Sequence, residues 1–419
     1  RTTCMPEAKT DIMETHEAAC LSIGWASANL TPDEPVQLAG QHYARVSEGV
    51  HDPVTATVLA LAGGDAPEAA IVLVSCDLVS IADSLRCEVR KRVVSALPEL
   101  APEAIILNAT HTHTAPLART EADEQKRAGE SVTMHELALP AMAAEAYIPW
   151  AAERVAAAVV AAWRGRAPGS VGYALGQAVV GRNRRSVYGE GESRMYGDTS
   201  AGSFTHIEGY EDHSVNLLGT WNAAGELTGL VVNVPCPSQE TEHLFEVSAD
   251  YWHDVRVELR RRLGERLFVL PQCSAAGDQS PHIQWDKAAE ARMRRLAGRS
   301  ERQEIAMRIA AAVEAALPLA ALERHSKPVL QHRWETVDLP RRRLSDADVR
   351  EALAGAEPHR IAYERMLAEL EAHPEMREKP RWYVPITHEY RRWRWHANVE
   401  LRHALEAVQP TLPVELHAV

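Results

Sequence analysis

The alternation of short apolar β-type runs with helical segments is the feature that most constrains the fold of this chain. Two β-rich runs, 55–61 and 69–75, flank a Gly-Gly-Asp turn at 63–65, which predicts a pair of adjacent strands. A helical pattern follows at 84–96, and a third apolar run at 104–110. Strand, helix and strand in this order predict a crossover unit. The sequence therefore indicates an α/β fold, with mixed β-sheets layered with α-helices.

Further strand and helix patterns fill the first 286 residues. They read as strands at 23–28, 171–180, 215–221, 227–234 and 267–270, and as helices at 140–164 and 249–263. From Lys287 onward the chain changes to long helices rich in Ala, Arg and Glu, with one β-like patch at 329–339. We therefore predict an N-terminal arm at 1–20, a catalytic domain at 21–286 and a helical portion at 287–419 that is an insertion into, or a lid of, the same domain. The last residues, 413–419, read as the start of a strand, which leaves truncation of the chain at this end open.

Charge and composition exclude several classes of function. The formal net charge of −13 repels phosphate backbones, so we expect no nucleic-acid partner. No apolar run approaches the roughly 20 residues that span a bilayer, so we expect no integral membrane association. We expect a small-molecule substrate as the partner, and the sequence leaves the oligomeric state open.

The six cysteines are scattered without CxxC spacing, which argues against a zinc knuckle and against a dense disulfide framework. This usage favours a reducing, cytoplasmic location. Because the chain begins at Arg1, a signal removed earlier and a secreted or periplasmic location remain open.

The strongest chemical signal is the pair His111 and His113, directly after the apolar run 104–110. Residues i and i+2 of an extended segment lie on the same side, so the two imidazoles can converge on one ion or one substrate oxygen. Neutral imidazole suits zinc, and two of them supply half of a tetrahedral site. The alternative is a pair that only makes hydrogen bonds in a loop, but the position after a buried strand favours a metal site.

A second signal is the loop 275–282, which follows a short strand pattern. Gly277 lets the backbone approach a ligand closely, and Pro281 stiffens the segment. Ser280 offers a hydroxyl that a metal ion or a base could activate. Taken alone, the loop is more readily explained as an ordinary turn that Asp278 caps.

A third signal is the run 181–186, which places Arg182, Arg184 and Arg185 within four residues. Guanidinium groups bind carboxylates and oxyanions through paired hydrogen bonds, so the run suits a substrate anchor or a stabiliser of developing negative charge. A solvated basic turn is the alternative.

Taken in order, the motifs resemble the neutral/alkaline non-lysosomal ceramidase family. They are Gly24-x-Ala26 in a strand, Gly49-Val50-His51-Asp52-Pro53, Val74-Ser75-Cys76-Asp77, Thr110-His111-Thr112-His113-Thr114-Ala115-Pro116, Asn183-Arg184, and Gly277-Asp278-Gln279-Ser280-Pro281. The resemblance covers about residues 21–285. His-Thr-His-x-x-Pro followed by Gly-Asp-x-Ser-Pro is far more specific than either motif alone.

The resemblance implies a zinc amidase with the fold of the ceramidase N-terminal domain. In that family the first histidine is a zinc ligand, here His111, and the second lines the reaction centre, here His113. The motif serine, here Ser280, is the proposed nucleophile, and the motif arginine, here Arg184, contacts the substrate region. Zinc would polarise the scissile carbonyl while His113 and Arg184 stabilise the oxyanion. Of the neighbouring residues, we assign Asp278 to the catalytic set and Asn183, Arg185 and His282 to substrate binding.

Two departures separate this chain from the family pattern. Where the family has its second histidine ligand, the stretch 233–239 has Pro237 and no histidine. Cys236 could substitute as a thiolate ligand beside His111 and His113, or Glu240, Glu242 or His243 could reach in. The glutamate and tyrosine that complete the family's zinc site have no counterpart that we can identify in the C-terminal stretch.

The sequence thus predicts a zinc-dependent hydrolase of an amide or ester bond. A soluble polar substrate is more natural than ceramide, because the sparse aromatic residues and the acidic charge give a poor hold on a bilayer. One alternative is a binding protein that kept the fold and lost the chemistry. Another is a different metal-assisted activity on the same scaffold, such as a lyase or a glycan-processing enzyme.

Overall fold

The computed structural model describes residues 20–64, 69–127, 137–189 and 191–419. Apart from Cys20, the predicted arm at 1–20 lies outside these residues. The strands are β1 (Ser22–Asn29), β2 (Gln37–Leu38), β3 (Arg45–Val46), β4 (Gly49–Val50), β5 (Thr55–Ala62), β6 (Ala70–Cys76), β7 (Ile105–Ala109), β8 (Ala167–Gln177), β9 (Arg182–Asn183), β10 (Arg185–Tyr188), β11 (Glu192–Met195), β12 (Phe204–Ile207), β13 (Ser214–Asn222), β14 (Leu227–Val234), β15 (Glu246–Val247), β16 (Phe268–Cys273), β17 (Gln279–Ser280), β18 (Arg333–Pro340) and β19 (Thr411–Ala418).

The α-helices are α1 (Asp83–Ala96), α2 (Glu121–Arg127), α3 (Ala144–Arg164), α4 (Tyr251–Leu263), α5 (Lys287–Ala297), α6 (Glu301–Leu322), α7 (Asp346–Ala372) and α8 (Tyr383–Val408). Short 3₁₀ helices lie at Pro102–Ala104 and Pro374–Glu378.

Eight strands form one sheet in the order β16-β14-β13-β8-β1-β5-β6-β7. Neighbouring strands are antiparallel, except that β7 runs parallel to β6 and β16 runs parallel to β14. At the middle of the sheet, β1 and β8 are joined by two residue pairs, Ser22 with Pro168 and Ile23 with Ala167. This short junction divides the sheet into two four-stranded halves.

The two halves face each other, and helices cover their outer sides. Apolar side chains between the halves, among them Leu59, Val231 and Leu270, form an inner core. Across this layer Asn108 Nδ2 donates a hydrogen bond to the carbonyl of Pro271 at 3.2 Å. Helices α1 and α3 pack on the half β1-β5-β6-β7, and α4 and α6 pack on the other half. The resulting α/β/β/α layering confirms the predicted mixed α/β fold, and β6-α1-β7 is the predicted crossover unit.

The strand predicted at 171–180 differs most from the structure, where β8 spans Ala167–Gln177. This strand contains Gly169, Gly172 and Gly176, residues that normally weaken a strand pattern. A Cβ atom at Gly172 would lie 2.2 Å from the carbonyl oxygen of Ala320 in α6. The helix therefore approaches this strand where side chains are missing, and packing overrides strand propensity.

One helix of the described chain, α6, has the length and composition of a membrane span, with a mean hydropathy of 1.7 over an 18-residue window. The expectation that no apolar run approaches the length of a membrane span did not anticipate this helix. In the structure Ile305, Ile309 and Val313 are buried against the second half of the sheet. The core helix of a globular protein passes the same test. The packing of α6 therefore accounts for its apolar composition.

The remaining C-terminal elements form a helix pair and a strand pair. Helices α7 and α8 pack together through an aromatic cluster in which the rings of Tyr363 and Trp393 lie 5.7 Å apart. Strands β18 and β19 are antiparallel, and Glu415 of β19 forms ion pairs with Arg86 and Arg90 of α1 at 3.3 and 3.0 Å. The C-terminal portion is thus attached to the sandwich at more than one place, while its assignment as insertion or lid stays a prediction.

A buried ion pair connects the two halves of the sandwich. Arg256 of α4 donates to both carboxylate oxygens of Asp77, which follows β6, at 2.8 and 2.9 Å. The Asp77 side chain is fully buried and also accepts a hydrogen bond from the Thr55 amide at 2.8 Å. The aspartate of the Val-Ser-Cys-Asp motif therefore has a structural role.

We predict that Arg256→Met destabilises the fold by roughly 3–5 kcal/mol, because it leaves the Asp77 carboxylate buried without a cation. Urea unfolding measures the loss. Arg261→Met on the same helix is the control, since Arg261 is exposed and pairs with Glu258 at the surface, where ion pairs contribute little. Equal stability of the two variants would contradict the bridging role.

Candidate functional site

Strand ends from both halves of the sandwich meet at a cavity of about 300 Å³. Its walls come from residues at or after the ends of β6, β7, β14 and β16, and from the segment after β9. Its polar and ionisable lining residues include His111, Arg184, Gln239, Cys273 and Ser274. The loops at the carboxyl ends of parallel strands are where α/β proteins usually bind ligands. A cavity thus lies at the end of β7, where the His-Thr-His run begins.

His111 lies in the left-handed region of backbone space, with φ of +63°, which residues other than glycine seldom adopt. Its ring Nδ1 donates a hydrogen bond to the carbonyl of Val79 at 2.6 Å. That bond puts a hydrogen on Nδ1, so Nε2 keeps its lone pair. Burial lowers the pKa of His111, and the nearby His113 and Arg184 lower it further. The ring is therefore neutral near neutral pH.

His113 is oriented by two residues of the loop after β14. Gln239 Nε2, an amide nitrogen that can only donate, lies 3.0 Å from His113 Nε2. On the other side of the ring, Nδ1 lies 3.1 Å from Glu242 Oε2. Burial alone would raise the pKa of Glu242, but the contact with His113 and the charge of His282 bring it below its usual value. Glu242 is therefore an ionised partner for His113.

The two imidazoles turn their Nε2 atoms toward each other at 3.3 Å. With hydrogen on each Nδ1, both Nε2 atoms carry a lone pair, and the lone pair of His113 accepts the hydrogen bond from Gln239. Zinc–nitrogen bonds of about 2.0–2.1 Å in tetrahedral geometry place two nitrogen ligands about 3.3 Å apart. Metal-bound histidines also commonly donate their distal N–H to a carbonyl or carboxylate. The spacing of the two Nε2 atoms therefore suits two ligand positions of a zinc ion, and binding through His113 requires the Gln239 amide to turn away.

The described part of the chain contains no group of three or more His, Cys, Asp and Glu residues that could hold a metal ion. It therefore adds no third ligand of these types to the histidine pair. Cys236, the predicted substitute ligand, is buried in the apolar core between the second half of the sheet and its helices. Burial raises the pKa of its thiol well above the usual value, which disfavours a thiolate. We therefore leave Cys236 out of the ligand set.

The serine-bearing loop is held against the arginine run by a short strand pair, β17 with β9. Asn183 Nδ2 donates a hydrogen bond to Asp278 Oδ2 at 2.9 Å, and the Arg184 amide donates to the Asp278 carbonyl at 2.9 Å. Asp278 and Asn183 therefore fix the position of Arg184 relative to Ser280.

Arg184 and Ser280 are connected through Tyr196. Arg184 Nη1 donates to the phenol oxygen of Tyr196 at 3.0 Å, and this hydroxyl donates to Ser280 Oγ at 3.2 Å. The phenol oxygen also lies 3.5 Å from Gln239 Oε1, so the chain of contacts reaches the loop that orients His113. Ser280 itself is fully buried.

The other predicted substrate-binding residues have separate partners. His282 Nε2 donates to the carbonyl of Gln239 at 2.9 Å, and its ring lies 5.6 Å from that of Tyr196. Arg185 forms a surface ion pair with Glu208, with Nη2 and Oε1 3.1 Å apart. His282 is thus next to the serine, whereas Arg185 is engaged away from it, and substrate roles for both stay predictions.

Two solved ceramidase structures resemble this chain. A neutral ceramidase from Pseudomonas aeruginosa aligns with a TM-score of 0.56 and 18% sequence identity, over 78% of this chain and 48% of the ceramidase chain. A ceramidase complexed with C2 aligns with a TM-score of 0.55 and 16% identity, over 77% and 47%. This chain has a ceramidase-like fold.

The ceramidase-like fold confirms the resemblance that the motifs suggested, and at this level of identity the likeness concerns the fold alone. The chain spans about half the length of these ceramidases. No protein-family model matches the sequence, and no curated protein sequence matches it.

Sequence reasoning missed Gln239 and Tyr196. For Gln239 a signal existed, because it lies in the stretch where the family's second histidine was expected. Glu242 was weighed there as a metal ligand and is instead the partner of His113. Tyr196 had no signal, since it reaches Ser280 across 84 residues of chain.

Gly40 supports the position of His113. It has φ of +101°, and a Cβ atom there would lie 2.4 Å from Cγ of His113. We predict that Gly40→Ala displaces the imidazole and destabilises the fold by about 1–3 kcal/mol more than a glycine substitution without a clash. Gly191→Ala is the matched control, because Gly191 has φ of +104° and no atom within 4 Å of the added Cβ. Urea unfolding compares the two, and equal losses would show that the contact with His113 is unimportant.

The environment of Glu240 leads us to predict that the stability of the fold depends on pH. Burial, with the negative charges of Asp250 and Glu301, raises its pKa from 4.5 to about 7. The folded state therefore keeps this proton longer than the unfolded state, and stability falls as pH rises from about 4.5 to 7. We expect the free energy of unfolding of Glu240→Gln, measured with urea, to exceed that of the parent by on the order of 1–2 kcal/mol near pH 8 and to equal it near pH 4. Glu153→Gln, at an exposed residue, is the control. A gain in stability of Glu240→Gln that does not depend on pH would exclude the raised pKa of Glu240 as its cause.

Proposed function

We propose that this chain is a hydrolase that cleaves an amide or ester bond in a small polar substrate. The observation that carries the proposal is the pair of Nε2 atoms 3.3 Å apart on His111 and His113. Of this pair, His111 lines the strand-end cavity, together with Arg184. The similar solved structures are ceramidases, which supports hydrolysis of an amide bond as the reaction class.

We further propose that His111 and His113 hold a zinc ion. When bound, zinc would polarise the scissile carbonyl and stabilise negative charge on its oxygen. The two rings suit this because both are held through Nδ1, by the Val79 carbonyl and by Glu242. Because the described chain brings no third His, Cys, Asp or Glu into a metal-binding group with the two imidazoles, we expect a weakly held metal that a chelator removes readily.

In the proposed reaction Ser280 is the attacking group and Arg184 stabilises the developing oxyanion. A guanidinium held beside the reaction centre stabilises such charge without reorganising during the reaction. The Arg184 backbone is fixed by Asp278, and Nη2 is fixed by the Gly277 carbonyl at 2.8 Å. His113 has no free N–H for the oxyanion, because its Nδ1 faces Glu242 and its Nε2 would bind zinc, so its part in this proposal is to hold the metal.

The cavity favours a small polar substrate. Its volume of about 300 Å³ is at the lower end of ligand pockets. Its walls combine the polar residues with small ones such as Ala109, Ala276 and Gly277. The bound part of the substrate is therefore compact, with hydrogen-bonding atoms near the bond that breaks.

The proposal is tested with a panel of N-acyl and O-acyl compounds, by following release of the amine or alcohol from purified protein. We expect turnover, and kcat/KM lower by about 100-fold or more in Ser280→Ala and in His111→Ala, since each removes a group of the reaction centre. His206→Ala, at an exposed histidine, is the control and should retain activity. Elemental analysis should find zinc in the parent protein and less of it in His111→Ala.

A second candidate is a binding protein without catalysis. The complete burial of Ser280 and the two-ligand histidine pair favour it. Absence of turnover across the panel, in protein that has been loaded with zinc, would support this candidate and count against the hydrolase.

A further inference from the structure

Tyr196 has an unusual backbone conformation at the edge of the site. Its φ of +53° lies in the left-handed region, which costs free energy for a residue that has a Cβ atom. The Tyr196 amide is held by the Arg184 carbonyl at 2.7 Å. Such strain persists only where surrounding contacts maintain it. The contacts of the Tyr196 side chain therefore matter for the conformation observed.

The phenol oxygen of Tyr196 occupies a position surrounded by three polar groups of the site. It lies 3.0 Å from Arg184 Nη1, 3.2 Å from Ser280 Oγ and 3.5 Å from Gln239 Oε1. In the proposed reaction a carbonyl oxygen must lie beside the guanidinium and within reach of the serine. The phenol oxygen is already there.

We infer that the phenol oxygen of Tyr196 fills a subsite for a carbonyl or carboxyl oxygen of the substrate, so that the substrate binds by displacing this side chain. The inference rests on the proposed function, because it takes Ser280 and Arg184 as the reacting pair. Tyr196 is then a competitor for the subsite that belongs to the chain itself. The substrate group that takes the place of its hydroxyl is a hydrogen-bond acceptor for Arg184.

Ser280 gives independent support for displacement. Its side chain is fully buried, and its oxygen accepts hydrogen bonds from Tyr196 and from the His282 amide, each at 3.2 Å. With both lone pairs engaged and no exposed surface, this oxygen cannot attack a carbonyl carbon until one donor leaves. The His282 amide is fixed two residues along the same loop, whereas Tyr196 belongs to a different segment. Tyr196 is thus the donor that can leave.

Arg184 has hydrogen-bonding capacity left for an incoming oxygen. Its Nη2 donates to the Gly277 carbonyl and its Nη1 to Tyr196, while its Nε is buried and has no hydrogen-bond partner. Tyr196 itself is partly open to solvent, with 40% of its surface exposed. Outward rotation of the ring therefore exposes a donor that a substrate oxygen can use.

The first test compares Tyr196→Phe with the parent protein on the substrates of the panel. Phenylalanine keeps the ring and loses the oxygen that competes for the subsite, so we expect KM to fall about 5- to 10-fold while kcat stays within about twofold. Tyr188→Phe is the matched control, because Tyr188 lies in the same hairpin and its hydroxyl donates to the Asp198 carbonyl. It should leave both constants unchanged. A fall in kcat at unchanged KM in Tyr196→Phe would overturn the inference and give the phenol a part in the chemical step.

The second test does not require turnover. A phosphonofluoridate probe forms a bond from phosphorus to the serine oxygen as fluoride leaves and the hydroxyl proton passes to solvent, and mass spectrometry counts the labelled Ser280. We expect labelling about 5- to 10-fold faster in Tyr196→Phe and faster again in Tyr196→Ala, with Tyr188→Phe equal to the parent. Equal labelling of all variants, including no labelling of any of them, would overturn the inference. Faster labelling without turnover of any substrate would retain the inference about access and refute the proposed function.

Discussion

The geometry of the site depends on one buried cation, the guanidinium of Arg45. It donates hydrogen bonds to four backbone carbonyls, those of Ala39, His113, Glu242 and Leu244. Burial lowers its pKa to about 10, so the group is still charged at neutral pH. A charge withdrawn from water needs compensation by dipoles or counter-charges, and here the carbonyls of three separate segments bind both terminal nitrogens, while Nε has no hydrogen-bond partner. The segments that carry His113 and Glu242 are therefore held together by one side chain.

The same contacts explain why the C-terminal helices matter to a site that they do not form. The loop that carries Arg45 is held from outside by α8, where Thr387 accepts a hydrogen bond from the Ala44 amide at 2.9 Å and Arg391 donates to the Tyr43 carbonyl at 3.0 Å. Removal of these contacts would free the loop and, through Arg45, the backbone of His113. The helical portion, predicted as an insertion or a lid, thus supports this loop from outside. Helix α8 also affects nearby His42. Burial lowers the pKa of His42, and the charges of Arg391 and Arg392 lower it further.

Local patterns were sufficient to predict much of the fold and part of the site. The runs that became β5, β6 and β7 were visible because apolar residues mark buried strands, and the His-Thr-His run followed directly from the last of them. The fold of the two sheet halves against each other was not predictable, since the junction of β1 and β8 consists of two residue pairs. Tyr196 and Arg45 also escaped, because their roles depend on loops that meet only after the sandwich has formed. A single residue in a loop has no periodicity that could reveal such a role.

The family resemblance places a histidine ligand in the stretch where this chain has Pro237 and Gln239, and in the proposed site this difference would change the chemistry rather than only remove a function. An imidazole there would bind the metal directly, whereas the Gln239 amide donates to His113 and comes within 3.5 Å of the Tyr196 phenol oxygen. In the proposed site this difference would lower metal affinity, because an amide nitrogen has no lone pair to give. The Gln239 side chain also links the histidine pair to the arginine–serine pair through polar contacts. A site of this kind depends less on the charge of a metal ion and more on preorganised donors, with Arg184 as its largest permanent charge. Displacement of one of those donors, the Tyr196 hydroxyl, is then the step that would make the serine reactive.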